Sequence, residues 1–221
     1  RRGGRATVDP VRRRTLLRDR RLLLFFIGSV ALWGANGAIL TFFSIRLVDL
    51  GADGRLLGLA WAVNAVVEVP LMLGFPALAR RFGAQRLVVV GAAAFAIRAL
   101  GWAVTGDAAA SIAIATIGGV GFSLVYVGTV TYVASVAPSG LRATAQAIFS
   151  GTAYGLGNII GSSVGGAFAA IFGLPALFAV GAGVSAIAGV IVWWAIGRRV
   201  AVPAAPGGTA GRITAGAFDG G

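Results

Sequence analysis

"RLLGLAWAVNAVVEVPLMLGFPAL", residues 55–78, is apolar apart from Arg55 at its start and one carboxylate, Glu68, inside it. A span of hydrocarbon about 30 Å thick needs roughly 20 residues at 1.5 Å rise per residue. The stretch is therefore long enough to cross a bilayer, and it carries an acid where water is absent. Whether the chain is a membrane protein, and why the acid is tolerated, are settled by what surrounds it.

The surroundings repeat the pattern. Apolar stretches occur at about 22–46, 55–78, 86–105, 108–134, 141–171 and 174–197. Short connections rich in Gly, Pro and Asp separate them: "VDLGADGR", "ARRFGAQR", "TGDA", "APSGLR" and "FGLP". Such residues supply turn chemistry. The expectation is a bundle of six transmembrane helices, with consecutive helices antiparallel and adjacent. The whole composition agrees: 57% hydrophobic, 12% charged, mean hydropathy +0.88. A soluble domain carries about 25% charged residues.

The chain has no His and no Cys, and all 19 of its basic residues are Arg. It therefore lacks the bases of Ser–His and Ser–Lys proteases and the His and Cys ligands of a zinc site. No GxxxxGK[ST] phosphate loop occurs. Neither an enzyme, a cofactor nor a metal is expected. The net charge of +12 would point to nucleic acid in a soluble protein. Here sixteen arginines fall in the first 21 residues, the second and fourth connections and the tail, whereas only Arg46 and Arg55 flank the other side. This is the positive-inside pattern. It places both termini in the cytoplasm of a multi-pass cell-membrane protein and assigns the charge to the lipid bilayer, with no nucleic-acid partner.

Three regions follow: a basic cytoplasmic linker with an interfacial helix at 1–21, a six-helix transmembrane domain at 22–197, and a Pro/Gly/Ala-rich disordered cytoplasmic tail at 198–221.

Two charges lie within spans. Glu68 is ten residues before residue 78, and Arg98 is twelve residues after residue 86. Their spans share one short connection, so the pair is expected to meet near the midplane. An isolated intramembrane ion costs about 2.5–3.5 kcal/mol even on lenient scales. A structural salt bridge is the plain reading. A protonatable carboxylate set by Arg98 or by a substrate is the functional one. Polar and aromatic residues accompany the pair: Trp33 and Asn36 on span one, Trp61 and Asn64 on span two, Phe122 and Tyr126 on span four, and Gln146, Tyr154 and Asn158 on span five. Trp61, Asn64 and Glu68 share one helical face. Trp33, Asn36, Trp61, Asn64, Phe122, Tyr126 and Asn158 are candidates for lining a cavity that takes a small organic solute. Each one alone would also fit an interhelical hydrogen bond or an interfacial anchor. On span five Gly151, Gly155, Gly157, Gly161 and Gly165 form rows of small residues suited to close helix packing. Pro70 and Pro76 are potential kinks in span two.

Four features resemble the major facilitator superfamily, in the branch similar to lactose permease and the phenylpropionate and nucleoside permeases. "ALARRFGAQR" resembles the basic loop of each half, although Arg80 stands where the full motif has an acid. "NAVVEVP" and "AIRALGW" match in placing an acid in the second span and an arginine in the third. "GFSLVYVGTVTYVASVAPSGLRATAQAIFSGTAYGLGNIIGSSVGG" is similar over its whole length to that branch's spans four and five. The resemblance covers roughly residues 20–197. It implies half of a twelve-helix fold, the C-terminal half, with an N-terminal six-helix half supplied by the same gene or a split partner. It further implies alternating access, with Glu68 as the coupling or substrate carboxylate and Arg98 as the arginine near it. Gly118 and Gly121 occupy the places of a His and a Glu in lactose permease, a departure from its proton relay. Proton-coupled transport is the implied function. The alternative is a non-transporting membrane scaffold or assembly partner.

Overall fold

The computed structural model describes residues 20–138 and 140–197. The proposed linker up to residue 19 and the tail from residue 198 lie outside the described residues. The described residues form six long helices: α1 (Arg20–Asp49), α2 (Gly54–Phe82), α3 (Ala84–Val104), α4 (Ala108–Val136), α5 (Arg142–Phe172) and α6 (Leu174–Ile196). Each is long and apolar enough to cross a membrane, and no strand occurs among the described residues. The chain is an all-α, multi-pass membrane protein. Helices suit this setting because every backbone group within a span is satisfied inside the segment.

The turns are as short as the sequence implies. Four of the five contain a glycine at positive φ: Gly51, Gly83, Gly140 and Gly173, at 83–90°. A side chain there would strain the backbone. Two helices open on an aspartate cap, Asp53 accepting from the Leu56 amide at 2.9 Å and Asp107 from the Ala110 amide at 2.6 Å. Pro70 and Pro76 sit inside α2, which continues through both. Within α5, Ser150–Leu156 widens into a π-helical segment between two α-helical parts.

Neighbourhood departs from the expectation. The helices stand in the order α5, α1, α6, α3, α4, α2, and only α3 and α4 are both consecutive in sequence and extensively packed. The reason lies in the side chains at the crossings. α1 packs on α5 and α6, and α4 on α2 and α3, through glycines that let backbones approach. Short turns allow but do not compel consecutive helices to pack. Exchanging α1, α2 and α3 for α4, α5 and α6 leaves this contact pattern unchanged. As consecutive helices alternate in direction, the two three-helix units run oppositely, which is an inverted repeat.

Burial follows position in the row. α3 buries ten of its 21 residues, whereas α2, at one end, buries only Ala60, Phe75 and Ala79. α5, at the other end, buries little more. One end of the bundle carries Arg20, Arg21, Arg80, Arg81, Arg86 and Arg142. The opposite end carries Asp49, Asp53 and Asp107. At that second end Arg46 Nη2 donates to the Thr105 carbonyl at 3.1 Å, tying α1 to the end of α3.

Candidate functional site

Arg98 lies on α3 and is 1% exposed. Phe95 and Trp102, three and four residues away, share its helical face, and its guanidinium carbon stands 5.1 and 4.9 Å from their ring centroids. Trp102 is itself fixed, stacked on Phe43 at 3.7 Å and donating Nε1 to the Ser111 carbonyl at 2.9 Å. Arg98 Nη2 donates to Asn36 Oδ1 on α1 at 2.6 Å, while its buried Nε has no partner. A neutral amide and two π faces offset part of the cost of burying a cation.

Glu68 is not the partner of this cation. Its Oε2 accepts from Asn64 Nδ2, one turn earlier on α2, at 3.2 Å. The direct ion pair expected from the sequence does not form. The two charges do share a depth: each lies fourteen residues from its own helix end at the Gly83 turn, roughly 21 Å at 1.5 Å per residue. They are kept apart because α4 stands between α2 and α3. Gly119 brings α4 so close to α2 that a Cβ there would lie 2.5 Å from the Asn64 carbonyl oxygen. Ser123 Oγ on α4 reaches the Glu68 carbonyl at 2.9 Å.

The gap is spanned at Gly118. A Cβ on this residue would lie 2.5 Å from Arg98 Nη1 and 2.7 Å from Asn64 Oδ1. Because Gly118 has no side chain, the Arg98 guanidinium and the Asn64 amide both approach α4 at this point. The order is Asn36, Arg98, Asn64, Glu68: a caged cation, an amide, then a half-buried acid. An acid so placed can take a proton or accept from a hydroxyl or amine. Among the described residues no group of three or more His, Cys, Asp or Glu side chains comes together.

Beside this network lies an aromatic wall. Trp33 meets Tyr154, Phe122, Phe95 and Tyr126 at centroid distances of 4.9, 5.5, 6.0 and 6.1 Å. Phe122 and Tyr126 lie parallel, 5.5 Å apart. Trp33 and Asn36 are buried, so both stand behind the surface they were expected to line. The rings in front are Phe122, Tyr126 and Tyr154. Tyr154 is presented by the π-helical segment, and π turns recur at functional sites. Trp61 is exposed and edges onto Phe43 at 6.3 Å, apart from this wall. Asn158 serves the backbone: its Nδ2 donates to the Tyr154 carbonyl at 2.5 Å, and its side chain abuts Gly37 of α1.

Gly157, Gly161 and Gly165 pack on Val30, Gly34 and Ala38 of α1. Gly151 and Gly155 do not belong to that seam. Nothing lies within 4 Å of a Cβ on Gly151, and only the Ser150 carbonyl approaches Gly155. The widened turn rotates both away from α1. The cage around Arg98 was missed in the sequence, although the spacing Phe95–Arg98–Trp102 carries its signal. The passage at Gly118 carries no such signal, since a glycine in a glycine-rich helix announces no particular partner.

Residues 7–180 match the family model described as "MFS_1 like family". The maltose permease of Geobacillus stearothermophilus is 29% identical over 153 residues, which are 69% of this chain and 39% of that permease. The crystal structure of the nucleoside transporter NupG superposes with a TM-score of 0.69 at 19% identity, over 84% of this chain and 50% of that one. Its D323A mutant gives 0.70, 19%, 85% and 51%. At that identity the likeness to NupG is one of fold. The chain thus spans 39% of the permease and about half of NupG.

Proposed function

The chain belongs to the MFS_1 like family, and from that premise we propose that it is the C-terminal six-helix half of a secondary active transporter. It moves a small organic solute by alternating access, coupled to protons. The observation that carries this reading is the half-buried Glu68 on α2, the least buried helix, hydrogen-bonded to Asn64, which shares the space at Gly118 with the caged Arg98. An acid in that position meets whatever stands across α2, and its charge is supported from behind. The shorter length relative to the permease and NupG, together with the sparsely buried α2 and α5, supports an N-terminal six-helix half as partner, encoded in the same gene or separately. Transport then consists of the two halves rocking about a site between them. The basic end faces the cytoplasm of the cell membrane, by the positive-inside rule, and both termini emerge there.

Glu68 takes the proton. Ionised, it is stabilised through Asn64 by the positive potential of Arg98. Protonated, it frees the Asn64 amide for solute. Phe122, Tyr126 and Tyr154 give the solute an apolar wall beside this polar edge.

The test is solute-driven proton movement into dye-loaded proteoliposomes holding the chain together with the proposed N-terminal six-helix half. Sugars, nucleosides and aromatic acids are presented in turn. One class is expected to drive acidification, and Glu68→Gln to stop it while leaving solute binding measurable. Full proton movement in Glu68→Gln removes the coupling role. No response from any class to the unaltered pair removes proton coupling altogether.

A further inference from the structure

We propose that a cavity at the basic end, where the α2–α3 turn meets the end of α6, holds the phosphate of an anionic phospholipid. The cavity encloses about 690 Å³ and is lined chiefly by Arg81, Phe82, Gln85, Arg86 and Trp193. A tertiary contact builds it: Gln85 Nε2 donates to the Trp193 carbonyl at 2.8 Å, pinning the start of α3 to the last turns of α6. Arg81 holds its guanidinium carbon 5.2 Å from the Phe82 ring centroid, so the cation rides on an apolar face.

Among the described residues no acid compensates the charge in this corner. No carboxylate lines the cavity, and neither Arg81 nor Arg86 has an acidic partner among the described residues. Of the acids among the described residues, Asp49, Asp53 and Asp107 sit at the opposite end of the bundle, and Glu68 within a span. Two cations with no acid select an anion over a zwitterion, whose ammonium they would repel.

The surroundings select a lipid over a free anion. Phe82 is 45% exposed and Trp193 is 48% exposed. From the cavity an exposed apolar stripe runs along α6 through Trp194, Val190 and Ile187, at helical spacing, toward the middle of the span. An acyl chain anchored at the cavity has a track to follow, and inorganic phosphate has no use for one. Tryptophan rings settle at headgroup level in membranes, and basic pockets between spans take lipid headgroups. The inference does not depend on transport or on a second six-helix half.

The full chain is reconstituted in phosphatidylcholine vesicles containing dibrominated phosphatidylglycerol or, in parallel, dibrominated phosphatidylcholine, and tryptophan quenching is measured. The Trp193→Phe variant identifies the Trp193 contribution. That contribution is expected to be quenched preferentially by the anionic lipid. Each arginine removed is expected to lower the relative affinity about 5-fold, and Arg81→Gln/Arg86→Gln together about 25-fold, bringing the preference close to one. Arg142→Gln, at the same end but on α5, leaves it unchanged. Each variant is checked for a monodisperse, helical state. If the double variant does not fold, the two single variants must each give an intermediate preference. Equal quenching by both lipids in the unaltered chain, or a preference that survives loss of the arginines, overturns the proposal. So does a preference abolished by inorganic phosphate at matched ionic strength, which assigns the cavity to a free anion.

Discussion

The crossing of α2 on α4 and the crossing of α5 on α1 are built alike. In the first, Asn64 lies against Gly119, and one turn further Ser123 reaches the Glu68 carbonyl. In the second, Asn158 lies against Gly37, and one turn further Thr41 Oγ1 bonds Ser162 Oγ at 3.0 Å. Asn faces Gly in both, a hydroxyl follows four residues on in both, and the helices exchange under the inverted repeat. The difference is the residue after Asn on its face: Glu68 in one, Ser162 in the other. Preceding the paired glycines stand Gly118 and Asn36, and Arg98 lies between these two. One duplicated packing device thus serves two ends. At α5 it only holds helices together. At α2 the same device carries an acid, and the absence of a side chain at Gly118 leaves room for the Arg98 guanidinium beside the Asn64 amide that holds that acid.

Arg98→Leu is expected to strike hardest, because both units meet at this side chain. It orphans Asn36 in the interior. Apparent stability in denaturing mixed micelles should fall by about 3 kcal/mol, and solute uptake should be lost. Full uptake would detach the cation from the site.

The paired glycines test the equivalence itself. A Cβ on Gly119 lies 2.5 Å from a backbone oxygen of α2, and one on Gly37 lies 2.8 Å from the Asn158 Cα. Gly119→Ala and Gly37→Ala should each destabilise by about 1–3 kcal/mol on the same titration. A large loss at one and none at the other breaks the comparison.

Ser162→Ala removes the hydroxyl pair at the neutral crossing. A loss of about 0.5–1 kcal/mol is expected, with transport kinetics unchanged. Altered kinetics would give this crossing, besides Tyr154, a part in the solute site. The smallest effect is expected at Gly151→Ala, where a Cβ meets open space. Stability should stay within about 0.5 kcal/mol, and a larger loss would mean that the π-helical segment packs against something on its outer side.

Much of the architecture was written in local pattern. A run such as 108–134 without a charge has few alternatives to a span, and Asp53, Gly83, Asp107 and Gly173 mark helix ends through capping and positive φ. The polar residues of the site were visible as exceptions in apolar surroundings. Their partners were not. Asn36 and Trp33 looked like cavity lining but are buried, one holding Arg98 and the other backing the rings. Asn158 turned to a carbonyl within the widened turn. Gly151 and Gly155 were indistinguishable by spacing from the glycines that do pack.

The sequence by itself determined that six helices cross a membrane, which end is basic, and which side chains are polar at depth, because hydropathy, charge and turn preference are properties of short segments. The tertiary structure alone decided that α4 lies between α2 and α3, that Asn64 stands between Glu68 and Arg98, and that the two halves of the chain repeat each other inverted. Those outcomes depend on how closely two distant backbones approach, and that closeness is fixed jointly by glycines and facing side chains far apart in sequence.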